Sequence, residues 1–159
     1  MSKEAALFFA LVLTVLFGSG SAHARSEANT VSAGTLLQLA ESATKVEQKV
    51  LCHIDDQDIR SVAIYKFHGT FELIEGNEAN RYVDPHALSV NKKDNTLVNG
   101  LFAADAIPSL TDRVLIGKTK DYEMTLFKRS LDQPQPVDYY VSVVTAQGSY
   151  EKMVDCEEK

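Results

Sequence analysis

Beyond position 24, few residues of this chain could ligate a metal, move a proton or act as a nucleophile. They are Cys52 and Cys156, the histidines His53, His68 and His86, and the carboxylate run Asp55, Asp56 and Asp58. No histidine stands in H-E-x-x-H or another ligand spacing, and each falls in a segment that reads as a turn. They are read as polar surface residues. The three aspartates could hold calcium, but the calcium-loop pattern needs a glycine that does not come before Gly69. A solvated acidic turn is the simpler reading, with calcium left open. Gly117-Lys118-Thr119 ends like a phosphate loop, yet Asp112 stands where the first glycine belongs. No G-x-S-x-G occurs. Cys52 and His53 are adjacent, but sequence neighbours rarely face one another, and a Cys52 in a disulfide attacks nothing. The chain therefore reads as a protein without catalysis, and no cofactor or metal is expected.

The elements that carry these residues begin after an N-terminal leader. Ala5 to Phe17 is an unbroken apolar run, too short to span a bilayer, and Ala22-His23-Ala24 has the A-x-A form of a cleavage site. Cleavage after Ala24 makes residues 1–24 a signal peptide and 25–159 a single domain; an uncleaved anchor is the alternative. Taking 24 residues from 159 leaves 135, enough to bury a sizeable core. The location expected is periplasmic or secreted, with no stable membrane insertion after cleavage. The absence of any N-x-S/T sequon leans toward a bacterial periplasm. A net charge of −6, with basic pairs only at Lys92-Lys93 and Lys128-Arg129, argues against nucleic acid. Export also makes a Cys52–Cys156 disulfide the default, the alternative being one structural and one reactive thiol.

Val31 to Leu51 reads as an amphipathic helix. Leu36, Leu39, Ala43, Val46 and Val50 recur at steps of three and four, Ser32 is a candidate N-cap, and Glu41 stands four residues before Lys45. From Arg60 the period falls toward two. Ser61–Phe67 and Thr70–Glu75 flank His68-Gly69 as a tight hairpin, and residues 76–95 read as polar and irregular. Strands are expected at Arg113–Gly117, Tyr122–Arg129, Val137–Thr145 and Tyr150–Cys156, and Thr96–Phe102 is either a strand or a buried loop. A short helix over 103–110 and a proline connector over 132–136 complete the pass. The fold class is α+β: a long N-terminal helix packed on a five- or six-stranded antiparallel sheet. A disulfide would set the end of that helix beside the end of the last strand. Six tyrosines, Tyr65, Tyr82, Tyr122, Tyr139, Tyr140 and Tyr150, offer an apolar body with a polar tip, suited either to a pocket or to strand packing.

In this order of elements the chain resembles the single Cache family of exported sensory domains. The resemblance lies in Val62–Phe67, the turn Phe67-His-Gly69-Thr70, and Phe71–Gly76 with the polar stretch behind it. It continues through Tyr122–Arg129, Pro134-Gln-Pro136, Tyr140-Val141 and the closing Val154-Asp-Cys156. Lys66, Phe127, Asp155 and Glu157 depart from the family pattern. The resemblance implies a PAS-like fold and a small organic ligand held over the sheet. Tyr65, Arg81 and Tyr140 are the candidate pocket residues on chemistry and position, since no family motif fixes them. The expected function is a soluble exported module that binds a small polar organic molecule without catalysis. The alternative is a protein-binding inhibitor, immunity protein or envelope accessory protein, which needs a solid core and an exposed apolar patch. An enzyme of unknown type stands third.

Overall fold

Ser32 starts the only helix among the described residues. In the computed structural model, which describes residues 25–26, 28–103, 113–129 and 138–159, its Oγ accepts the Thr35 amide at 3.1 Å. Helix α1 (Ala33–Ser42) follows, as that cap implies. It stops where the backbone turns extended at Ala43, and strand β3 (Lys45–Asp56) takes over. The long helix to Leu51 is thus corrected. Val46 and Val50 satisfy both a helical step of four and a strand step of two. The run Val50, Cys52, Ile54 is fully buried only in the strand register, and β-branched residues favour that register. Lys45 accordingly lies outside the helix and pairs with Glu47, not Glu41.

Strands β4 (Ile59–His68) and β5 (Thr70–Glu75) form as expected but do not pair with each other. Strand β5 pairs with β6 (Glu78–Val83), and β4 pairs with β3 and with β7 (His86–Lys92). Together β4–β5 and β6–β7 make one long hairpin bent at a neck. There the Gly69 amide donates to Asp84 Oδ1 at 2.8 Å, the Asp84 amide to Gly69 O at 2.9 Å, and the Phe67 amide to Pro85 O at 2.9 Å. Gly69 has φ +141°, a backbone state that L side chains rarely adopt. The glycine makes a corner, not a two-residue turn. The segment expected to be irregular, 76–95, contains two strands. Its polar look comes from the exposed tip, while Ala87, Leu88 and Val90 are buried.

Strands β8 (Leu97–Phe102), β9 (Arg113–Lys118), β10 (Tyr122–Arg129), β11 (Asp138–Thr145) and β12 (Gly148–Glu158) complete the chain. Eight strands form a continuous antiparallel run in the order β9-β10-β11-β12-β3-β4-β7-β8, curled into a half-barrel. Its two edges are each flanked by a short strand that precedes the helix. Strand β1 (Arg25–Ser26) lies parallel to β9, and β2 (Asn29–Val31) lies antiparallel to β8. The α+β architecture of one long helix on a five- or six-stranded sheet, PAS/Cache-like in kind, is overturned: strands dominate, and the helix has 10 residues. Residues 1–24, residues 104–110 of the short helix and the 132–136 connector lie outside the described residues.

Alternation sorts the side chains into two apolar clusters. Val50, Cys52, Ile54, Val62, Ile64, Leu88, Val90, Phe102, Met124, Leu126, Tyr139 and Val141 fill the concave side. On the convex side, Phe67, Ala87 and Leu101 meet Leu39 of α1 and Phe71 and Tyr82 of the bent hairpin. Cys52 and Cys156 are directly opposite on β3 and β12 and are joined, 104 residues apart in sequence. The partner is the one expected, but Cys52 lies within a strand, so the bond ties the first strand of the meander to its last.

Candidate functional site

The pattern that fills the concave side also decides what stands at its ends. On β10 the inward residues Tyr122, Met124 and Leu126 are followed, two positions on, by Lys128. On β12 Cys156 is followed by Glu158, and on β7 Leu88 is preceded by His86. These three polar residues meet at the base of the half-barrel, the end at which β4 finishes and β7 begins. With Lys49 and Lys159 they border a depression of about 270 Å³ whose floor is Val50 and Ile64, each 1% exposed and paired across β3 and β4. Barrel mouths and small apolar-floored concavities are common ligand sites. A larger groove of about 500 Å³ lies between α1 and the bent hairpin, but Glu72 is the only ionisable residue lining it. Charge converges at the mouth.

Glu158 is the only carboxylate side chain among the residues lining the mouth. One of its oxygens, Oε1, accepts from Lys128 Nζ at 2.7 Å and from the Tyr139 hydroxyl at 2.5 Å. Lys128 first, then Tyr139, holds the Glu158 carboxyl below the usual carboxylate range. Burial, reinforced by the bond to Glu158, pushes the Tyr139 phenol up, so it stays a donor at neutral pH. Lys49 is engaged from outside the mouth by Glu47 at 2.9 Å, which also takes Lys45 and, at 3.2 Å, His68. Hydrogen bonds from Lys45 first, then Lys49 and His68, hold Glu47 far below the ordinary carboxylate range. His86 Nδ1 is buried without a hydrogen-bond partner. Burial lowers the His86 pKa, with Lys66 and Lys49 adding to the effect, so the ring is neutral near pH 7. The mouth is a basic rim over an apolar floor on an acidic chain.

The three residues named from sequence as a pocket are not brought together. Tyr65 packs against the convex cluster under α1. Arg81 is exposed on β6, opposite Glu72. Tyr140 lies on the convex face of β11, its ring 5.8 Å from Phe127 and 4.7 Å from the Arg129 guanidinium. Arg113 covers the same Phe127 ring at 4.5 Å, and Glu151 pairs with Arg129 at 2.6 Å and Arg113 at 3.3 Å. The aspartates of the β3–β4 turn do not converge either. Asp55 and Asp58 face Lys93 and Lys92, and Asp56 accepts from the Gln57 amide and the Tyr150 hydroxyl. No group of three potential metal ligands occurs among the described residues. His53 is exposed on β3, and His68 faces Glu47.

Sequence reasoning saw Lys128 only as half of a basic pair. The signal that places it was present: the same alternation that puts Leu126 inside puts Lys128 inside two residues later. Nothing local marks Lys49, His86 and Glu158 as its neighbours, because each arrives on a different strand. Compared with protein-family models, curated proteins and solved structures, the chain matches none. The site must speak for itself.

Proposed function

We propose that this chain is an exported binding module that captures a small organic anion at the base of the half-barrel and does no chemistry on it. The observation that carries the reading is the convergence of three lysines, Lys49, Lys128 and Lys159, beside the neutral His86 ring over a floor of Val50 and Ile64. A cationic rim selects an anion, and an apolar floor selects one with an aliphatic body. Export is supported by the disulfide between Cys52 and Cys156. A ligand of about eight heavy atoms, at roughly 0.5 to 0.8 kcal/mol each, binds with a Kd on the order of 10 µM to 1 mM. Thermal unfolding in the presence of matched aliphatic anions and cations at a few millimolar tests this. The anions should raise Tm and the cations should not; equal or absent shifts would dismiss the reading.

A second reading has its own observation. Phe127, Tyr140, Arg113 and Arg129 stack on the convex face, and Met153, cross-strand from Tyr140, is 61% exposed. Arginine, aromatic and methionine side chains are enriched where proteins meet proteins. An envelope or secreted partner held there should be lost from Met153→Glu while anion binding at the mouth is unchanged. Retention of the partner by that variant would count against this face.

A further inference from the structure

We infer that the head group taken by the mouth is a carboxylate, and that Glu158 occupies its place until the ligand arrives. This rests on the proposed anion site and adds to it both the ligand class and a resident competitor. The Lys128 ammonium and the Tyr139 hydroxyl converge on a single carboxylate oxygen, Glu158 Oε1, at 2.7 and 2.5 Å. A donor pair aimed at one oxygen is a carboxylate-reading arrangement, and the structure shows a carboxylate filling it.

The two donors are held by the fold, and the acceptor is not. Tyr139 is 3% exposed within the concave cluster, and the Lys128 ammonium lies 5.5 Å from the centre of its ring. The Lys128 side chain is 22% exposed, whereas that of Glu158 is 51% exposed. Glu158–Val50 is the last residue pair of the β12–β3 ladder, with one further backbone bond from the Lys159 amide to Lys49 O at 3.2 Å, so the β12 backbone is held there while the Glu158 side chain is exposed. An exposed side chain at a strand end rotates into solvent at low cost, so the donors can be passed to another carboxylate. The aliphatic body of that carboxylate would then cover Val50 and Ile64, the floor beside the donors. Exchange of one carboxylate for another leaves the number of charge-assisted hydrogen bonds unchanged. The gain comes from the apolar floor removed from water.

A resident competitor lowers apparent affinity by the fraction of time it is closed. If Glu158 holds the donors nine-tenths of the time, the loss is about tenfold. Titration calorimetry with hexanoate, hexyl phosphate and hexylammonium, on the full chain and its variants at pH 7, tests the inference. Glu158→Gln should bind hexanoate about tenfold more tightly than the parent. Glu157→Gln, which removes the same charge from a neighbouring exposed side chain, should gain no more than about twofold, as expected for a screened charge. Lys128→Met should lose hexanoate binding, and Tyr139→Phe should weaken it several-fold while the ring keeps its place in the core. Equal gains in Glu158→Gln and Glu157→Gln would overturn displacement in favour of simple charge relief. Tighter binding of hexyl phosphate than hexanoate in the parent would overturn the carboxylate assignment and leave the anion site standing. Absence of heat from every probe, titrated at two temperatures so that a heat-capacity change would show, in the parent and in Glu158→Gln alike would remove the mouth site itself.

Discussion

Two seams of the curled sheet are built differently. At the β12–β3 seam the ladder has only four residue pairs, Asp155–His53 to Glu158–Val50. The disulfide sits within it, and above it the strands diverge and side chains span the gap. There Tyr150 bonds Asp56 and Gln57, and Lys152 Nζ donates to Ile54 O at 3.2 Å. At the β8–β9 seam the edge strands do not pair with each other. Strands β1 and β2 flank them instead, with two backbone pairs to β9 and three to β8. Ala28 fills the position that a side chain at Gly100 would need, its Cβ lying 2.3 Å from where a Cβ on Gly100 would fall. One seam joins distant parts of the chain and is covalent. The other joins strands consecutive in sequence and is held by a short strap. Local opening should therefore begin at the strap, and the mouth, which borders the covalent seam through Glu158 and Val50, is the stable end.

The largest test of that contrast removes the bond. Replacing both Cys52 and Cys156 by Ala opens a loop whose closure is worth about 5 kcal/mol in the chain-entropy model. Urea unfolding measures the loss; a cost below about 1 kcal/mol would mean that the ladder and the side-chain bridges hold this seam unaided. Next comes the anchor of the strap. Leu39, 2% exposed, fastens α1 to the convex cluster directly after β2. Leu39→Ala should cost about 3 kcal/mol and release the strap with the helix, read by amide exchange at Asn29–Val31. Gly100→Val attacks the strap itself. Ala28 must move, at a cost of about 2 kcal/mol, and protection should fall at residues 29–31 while that at 52–54 is unchanged. Equal losses of protection at both seams would erase the distinction between them.

The smallest effect is one of pH. With the His86 pKa lowered by burial and by Lys66 and Lys49, the unfolded chain takes up a proton at higher pH than the folded one. Asp84 opposes that shift, and His68 adds to it. Stability should fall as pH drops below the ordinary histidine value of 6.5, and His86→Gln should flatten that part of the curve. A bound anion opposes the shift, so anion affinity should rise over the same interval.

The difference between the seams also explains what the sequence disclosed. The strands from β9 to β12 are adjacent hairpin neighbours with alternating apolar residues, and each was legible at nearly its true bounds. The Ser32 cap was legible too, because its chemistry is local. The helix beyond Ala43 was misread because Val46 and Val50 fit two periods at once, and only the partners of β3, brought from β4 and β12, decide between them. Gly69 looked like a turn because a corner and a turn need the same glycine; the choice is made by Asp84 and Pro85, more than a dozen residues later. The strap escaped notice since Asn29-Thr-Val31 is too short to signal a strand alone. The mouth was invisible for the same reason as the seams: Lys49, Ile64, His86, Lys128 and Glu158 become neighbours only when the sheet curls. The disulfide was legible as a pairing but not as a place.

The most direct measurement of binding at the mouth is methyl NMR of Val50 and Ile64 in the full chain, titrated with hexanoate and then with hexylammonium. Hexanoate is expected to shift both methyl groups saturably, with Val98 and Leu115 at the opposite seam unmoved and hexylammonium without effect. Shifts that follow the strap residues instead, or that appear equally with the cation, would contradict an anion site at the base of the half-barrel.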